Sequence, residues 1–365
     1  MEHRIFSLKP ADDTGCWQPV EQARIGRAKR AFSTRRVDIS LAAGLAVANV
    51  RPTAGQIVLA QVDRLGQHKR LEDVNGRRVT LYPGDEILVA YGDRYATDQY
   101  HAHVPETLGS CHLVAAGGIA AVAQDKSAKV RGATELTPIG VVTDASGEPL
   151  STQAFACADA GPNAARGRPT IVGVVGSSMN AGKTTTIASL IHGECKAGRR
   201  VGAVKVTGTG SGGDMWAYAD AGADATLDFT DAGYPSTYRL AAETHVQILE
   251  LLLRRMRGLG METVFVEVAD GLLFGETAAL ICSSAFRQSV DGVIFAASDA
   301  MGAISGARWL AEQRWPLLAV SGAMTASPLA IEEVRPHIEA PILTLEDMLS
   351  GAFLASEDIA RRYAA

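Results

Sequence analysis

The sequence predicts an α/β protein in two parts: a C-terminal domain built on a mainly parallel sheet and, before it, a small β-rich domain. Three observations predict this. From residue 170 onward apolar β-type runs alternate with helical segments, from 37 to about 150 short β runs are punctuated by turn signals, and between them residues 151–169 are small, Ala/Gly-rich and aperiodic. The boundary falls near residue 167, giving a β-rich domain plus linker over 1–167 and an α/β domain over 168–365. At 365 residues the chain exceeds the size at which one core keeps growing, and a hydrophobic fraction of 47% supports two.

In the first part GQIVLAQVDRL, RRVTLYP and EILVAYG read as strands, with Asn75-Gly76 as a hairpin turn and Gly84-Asp85 as a further turn. CHLVAAGGIAAVA and TPIGVVTDASGEPL continue the β character, Gly117-Gly118 marking a bend or bulge, so the whole reads as a small barrel or sandwich. In the second part strands are expected at 170–176, 201–206, 263–268, 291–297 and 316–322. Helices are expected from about Gly182, near 213–222, 240–257, 276–287 and 302–313, and in a final helical region. The longest carries Val246, Leu249, Leu253 and Met256 on one face and ends at Gly258 and Gly260. Such alternation specifies a parallel sheet with helices on both faces.

Composition narrows the function. The net charge is −5 and the 35 Lys and Arg residues are scattered, which argues against nucleic acid as a main partner. No run reaches the about 18 apolar residues of a membrane helix, and MEHRIFSLKPADD has no apolar core of a secretion signal. Five cysteines without a C-x-x-C pair suggest reduced thiols and a cytoplasmic protein. His101 and His103, with Cys111-His112, are metal-ligating types, but their spacing fits no standard zinc pattern and histidines two apart on a strand share a face anyway.

The chemistry sits in Gly176-Ser177-Ser178-Met179-Asn180-Ala181-Gly182-Lys183-Thr184, which follows an apolar strand and opens a helix, the context of a phosphate-binding P-loop. Ser177 stands where the commonest form has its first glycine, so with Gly176 the loop is one residue longer. The expected nucleotide-binding residues are Ser178, Met179, Asn180, Ala181, Gly182, Lys183, Thr184 and Thr185: backbone N–H groups wrap the phosphate, Lys183 reaches the β- and γ-phosphates, and the Thr184 hydroxyl ligates Mg²⁺. Glu267, at the tip of TVFVEV, is the expected second metal ligand and a catalytic residue, with Asp270 behind it. Asp214 in the loop after GTGSGG either completes the metal shell, senses the γ-phosphate as a switch, or caps the helix that follows. Lys205, charged at the end of a buried strand, requires an anion nearby, expected to be phosphate or a substrate carboxylate, and joins Lys183 and Glu267 as catalytic. Asp228, Asp231, Ser236, Thr237, Tyr238 and Arg239 gather polar groups around Pro235, as a ligand-recognition loop or as plain surface.

The spacing G-x5-GKT, the segment Lys205-Val206-Thr207-Gly208-Thr209-Gly210 and the segment Val266-Glu267-Val268-Ala269-Asp270-Gly271 resemble dethiobiotin synthetase among the P-loop proteins. Gly213-Asp214-Met215-Trp216, continuing to Ala221-Gly222-Ala223, is similar to a stretch of the GTP-binding accessory protein of molybdopterin-guanine dinucleotide synthesis. Both resemblances cover about 170–275. The first implies ATP-dependent phosphorylation of a carbamate followed by ring closure. The cofactors expected are Mg²⁺ and ATP: the N-K-x-D signature of the common guanine-specific GTPases is missing, which leaves the nucleotide open with ATP as the default and GTP not excluded. The expectation is therefore a kinase- or ligase-type enzyme acting on a small carboxylate- or carbamate-like substrate, with no nucleic acid or membrane partner and homo-oligomerisation open. Its alternative is a regulatory or metallochaperone-like NTPase switch acting on a protein partner.

Overall fold

The computed structural model describes residues 16–158, 167–351 and 353–354. The N-terminal MEHRIFSLKPADD and positions 159–166 of the expected linker lie outside the described residues. Among the described residues no helix is long and apolar enough to cross a membrane.

The N-terminal part is a barrel with additions. Thr134–Thr143 pairs with Ile57–Arg64, which pairs with Glu86–Tyr91, then Ile119–Lys126, then Cys111–Ala115, which returns to Thr134–Thr143 and closes a ring of five strands. Closure removes the open edges that a small sheet would otherwise present. Strand alternation fills it: Val58, Ala60, Val62, Ile87, Val89 and Tyr91 share one cluster, while Ile57, Leu59, Leu88 and Ala90 face outward against Ile25, Val37 and Leu45. Asn75-Gly76 lies in the turn between Arg70–Glu72 and Arg78–Thr80, with Gly76 at φ +79°. A hairpin of Arg94–Tyr95 and Tyr100–His103 extends the sheet beyond Ile119–Lys126.

The C-terminal part is a six-stranded sheet in the order Ala225–Asp228, Val201–Lys205, Thr263–Glu267, Thr170–Gly176, Gly292–Ala296, Leu317–Ser321, parallel throughout. Odd and even strand positions face opposite sides: Ile171 and Val175 join the core under Ala242–Gly258, whereas Val172 and Val174 join the one under Lys183–Lys196. This is the mainly parallel sheet expected from the strand-helix rhythm. Two details differ from the reading of the sequence. The short edge strand Ala225–Asp228 carries too few apolar residues to show a period, and the helix expected over 276–287 is two, Gly275–Cys282 and Ser284–Ser289. Ser283 breaks it with ψ 148° and caps the second helix by accepting from the Phe286 N–H.

Residues 151–157 read as linker by composition, yet they are packed: Thr152 donates its hydroxyl to the Gly233 carbonyl at 2.7 Å, and the Cys157 N–H donates to Asp231 at 2.7 Å. The same corner holds a buried ion-pair cluster. Arg35, from the N-terminal part, lies 3.2 Å from Asp228 and 2.7 Å from Asp231, and Arg36 lies 3.4 Å from Asp231. Burial and the neighbouring Asp228 push the Asp231 carboxyl above its ordinary range despite both arginines.

Arg35→Ala strips the main cation from two buried carboxylates and is expected to destabilise the protein by about 3 kcal/mol at neutral pH. A buried carboxyl with a raised pKa binds protons better folded than unfolded, so its stability deficit grows as pH rises through that raised pKa and shrinks below it. Urea unfolding at pH 5 and pH 8 should show the smaller deficit at pH 5; equal deficits would remove the electrostatic explanation.

Candidate nucleotide site

The strand Thr170–Gly176 lies in the middle of the parallel sheet and ends in residues 177–182, from which the helix Lys183–Lys196 departs. The Ser177 N–H donates to Ala296 at 2.9 Å, and the Ala323 N–H donates to Ala181 at 2.9 Å, pinning the loop from both sides. Gly182 has φ +98°, and a Cβ there would stand 2.9 Å from the Ala323 nitrogen, so conformation and close approach both demand glycine. Lys183 is buried, and its Nζ donates to the carbonyls of Ser178 at 2.7 Å and Asp270 at 2.8 Å. Burial lowers its pKa, opposed in part by the charge of Glu267.

Register builds the second half of the site. Lys205 and Glu267 are paired across adjacent parallel strands, and Val174 is paired with Glu267 on the other side. The strand tips therefore meet beside the loop. Lys205 Nζ lies 3.3 Å from Glu267 Oε1 and also contacts Asp214 Oδ2. Thr184 Oγ1 is 3.1 Å from Asp214 Oδ1 and 3.2 Å from Glu267 Oε2, and the buried Tyr218 hydroxyl donates to the same Glu267 oxygen. Burial disfavours the charge of Lys205, but Glu267 and Asp214 outweigh it and raise its pKa. Burial likewise opposes ionisation of Asp214, while Lys205, Thr184 and Lys183 hold its carboxyl below the usual range. The anions beside Lys205 are thus two carboxylates of the chain itself. Two carboxylates and a threonine hydroxyl form a hard-oxygen donor set that fits Mg²⁺. Asp214 stands inside the first turn of Gly213–Asp220, behind Gly212 at the N-cap, so the capping alternative does not hold.

A cavity of about 270 Å³ opens from this cluster, with Met179, Asn180, Lys183, Thr184, Asp214 and Glu267 in its wall. Asp270 lines it too, its pKa raised by burial against the pull of Lys183, Lys205 and Arg94. Thr185 is exposed and lies outside that wall. The loop around Pro235 divides: Asp228 and Asp231 bind Arg35, Arg239 faces Asp93 at 3.5 Å, Ser236 is buried, and Thr237 and Tyr238 line the cavity. The N-terminal part contributes Arg94, Tyr95 and Ala96, with Tyr95 stacked on Phe274 at 4.4 Å. The sequence reading passed over these three; Arg94-Tyr95 within GDRYATDQ reads as a turn, and no local pattern points it at a site 90 residues away.

His101 Nε2 lies 3.0 Å from His103 Nε2 and 3.1 Å from the Tyr238 hydroxyl, whereas Cys111 is buried on another strand with its thiol pushed up to about 12 by burial, and His112 Nδ1 accepts from the Ala123 N–H. Among the described residues no group of three or more His, Cys, Asp or Glu side chains is arranged to hold a metal ion.

No family model and no curated protein matches this sequence. Among solved structures, the chain is similar to the signal recognition particle receptor FtsY from Elizabethkingia anophelis in complex with GDP, at 14% identity and a TM-score of 0.34 over 53% of this chain and 67% of that one. Chloroplast FtsY from Physcomitrella patens gives 13% identity and a TM-score of 0.35 over 55% of this chain and 70% of that one. The signal recognition particle 54 kDa protein from Aeropyrum pernix K1 in complex with GDP gives 21% identity and a TM-score of 0.34 over 53% and 47%. The expectation of a kinase or ligase is corrected by this finding: the similar solved structures are a signal recognition particle protein and signal recognition particle receptors, and none of them is described as a kinase or a ligase. The expected partners, a small-molecule substrate to the exclusion of nucleic acid and membrane, are withdrawn with it. Neither dethiobiotin synthetase nor the molybdopterin accessory protein stands among these neighbours. At this level the likeness concerns the fold alone, a P-loop α/β domain.

Proposed function

We propose that this chain is a magnesium-dependent nucleoside-triphosphate hydrolase that works as a regulatory switch on a protein partner. The observation that carries the reading is the position of Asp214. It belongs to the charged cluster beside the P-loop, and it rides on a segment that the N-terminal barrel grips. The Ser211 hydroxyl and the Gly212 N–H donate to buried Glu72, both at 2.9 Å, and the Trp216 indole N–H donates to the Asn75 carbonyl at 2.7 Å. A change in what Asp214 binds is therefore transmitted to the barrel through residues 207–216.

In this reading residues 178–182 offer backbone N–H groups and the helix N-terminus to the phosphates, and Lys183 exchanges its two carbonyl acceptors for phosphate oxygens. Magnesium, held by Thr184, Glu267 and Asp214, would neutralise charge on the phosphates. Asp214 would then divide its charge between that site and Lys205, which is how the segment senses the nucleotide. Apolar side chains left in water on either side of the loop support a protein partner: Leu273 is 91% and Met301 75% exposed, and their neighbours Gly271 and Gly302 pack against Ser177. Adenine and guanine nucleotides are both to be tested.

Hydrogen exchange tests the switch. Residues 207–216 and 70–77 should change protection together when the triphosphate and Mg²⁺ are added, and revert when EDTA is included. Protection that changes only in residues 177–185 would leave a nucleotide-binding domain with no relay.

Lys183→Ala should leave the fold intact and weaken triphosphate binding by at least about tenfold, since a charge-assisted contact is lost. Calorimetry showing parental affinity for both MgATP and MgGTP would remove the P-loop assignment. Glu267→Gln keeps the shape but not the anion: nucleotide affinity should stay within about tenfold while turnover falls by about a hundredfold or more. Normal turnover of this variant at limiting Mg²⁺ would take Glu267 out of the metal shell.

A further inference from the structure

Arg94 is a buried cation with no carboxylate in contact with it, although the charge of Asp270 acts on it from across the cavity. It is 7% exposed, and among the described residues no carboxylate lies within ion-pair distance of its guanidinium. Its Nη2 donates to the Gln99 amide oxygen at 3.0 Å, and its Nε has no partner. Its Nη1 lies 3.4 Å from His68 Nε2, which is itself 3.0 Å from the Val114 carbonyl. Burial holds His68 neutral, its pKa pulled down to about 4, and a ring nitrogen that donates to a carbonyl has no lone pair to offer an arginine. Among the described residues one neutral amide is thus the only good acceptor for five N–H donors. A buried guanidinium so poorly matched is costly unless an anion is its intended partner.

The hairpin that carries Arg94 belongs to the N-terminal sheet, yet Arg94 lines the same cavity as Lys183, Thr184, Asp214 and Glu267. We propose that Arg94 contacts the γ-phosphoryl group of the bound triphosphate and stabilises the charge that develops as it is cleaved, an arginine supplied within the chain by one domain to the phosphate site of the other. The inference rests on the nucleotide reading above. In the step concerned, a water oxygen bonds to the γ-phosphorus while the bond from that phosphorus to the β–γ bridging oxygen breaks. The bond pair leaves with the diphosphate, and the proton of the water passes to phosphate and solvent. Arg94 neither gives nor takes a proton; its planar fork meets equatorial oxygens whose negative charge grows along the step.

The test uses the full chain and the variants Arg94→Met and Arg94→Lys, with a non-hydrolysable triphosphate analogue, the matching diphosphate and the hydrolysable triphosphate. Arg94→Met should keep the diphosphate affinity of the parent, lose about tenfold or more of the preference for triphosphate over diphosphate, and lose about a thousandfold in turnover. Arg94→Lys should recover part of both, because the charge returns without the fork. Diphosphate affinity reports that the site is folded, and Arg94→Lys, which retains the cation, stands in if Arg94→Met does not bind diphosphate. Parental preference and turnover in either variant that binds diphosphate normally would overturn the assignment. A parent that binds no nucleotide would instead remove the reading beneath it, a failure visible without any variant.

Discussion

Lys205 between Glu267 and Asp214 is the contact on which the rest of the site depends. Parallel pairing sets Lys205 opposite Glu267, so the ammonium and the carboxylate cannot avoid each other once the sheet forms. Two carboxylates this close would not both stay ionised in a buried place without a cation between them. With Lys205 there, Asp214 remains charged, Thr184 can be held at 3.1 Å and 3.2 Å from the two acids, and the first turn of the loop helix is tied to a strand tip at Glu267 and to the helix that carries Asp214. Such a cluster contributes geometry more than stability: removing one member strands the others in low dielectric, which is why buried charge networks tolerate change poorly.

The same logic extends outward through glycine. A Cβ on Gly117 of the barrel would stand 1.9 Å from the Gly210 carbonyl, and one on Gly212 would stand 3.0 Å from Gly76 Cα. The barrel and the parallel-sheet part touch backbone to backbone at Gly210 and Gly212, with Glu72 accepting hydrogen bonds from Ser211 and Gly212 beside this contact. A segment held so closely on one side and charged on the other couples the barrel to the phosphate site more tightly than side-chain contacts alone would.

Much of this was legible beforehand, and the reasons differ by element. The parallel sheet was legible because buried strands are continuous apolar runs and the intervening helices carry a 3.6-residue period, as in Leu249, Leu253 and Met256. Glu267 and Lys205 could be named because each is a charge at the tip of an apolar strand, Thr184 because it follows Gly182-Lys183 in the P-loop, and Asp214 because it follows the glycine-rich stretch after the second strand. What the sequence withheld is non-local. Ring closure of the barrel depends on Cys111–Ala115 pairing on both sides, and no window of sequence contains that fact. The glycine-rich stretch before Asp214 was legible as a loop, whereas Gly210 and Gly212 serve close packing. The function assigned from motif resemblance followed the phosphate chemistry that many unlike proteins share, and fold-level or motif-level likeness does not select a partner.

The two kinds of cation in the cavity separate structural from functional charge. Lys205 is matched by carboxylates of the chain and is already neutralised, so an incoming anion gains little from it directly. Lys183 rests on two backbone carbonyls and Arg94 on one side-chain amide, neutral acceptors that a phosphate oxygen surpasses. Lys183 comes from the loop itself and Arg94 from the N-terminal sheet, so a triphosphate lying between them would link the two through its own charge. A diphosphate, shorter by the group that reaches Arg94, would satisfy the loop and leave the barrel unengaged. The difference between those two states is one phosphoryl group, and in the proposed reading it would become a difference in how firmly the barrel is held against the parallel sheet.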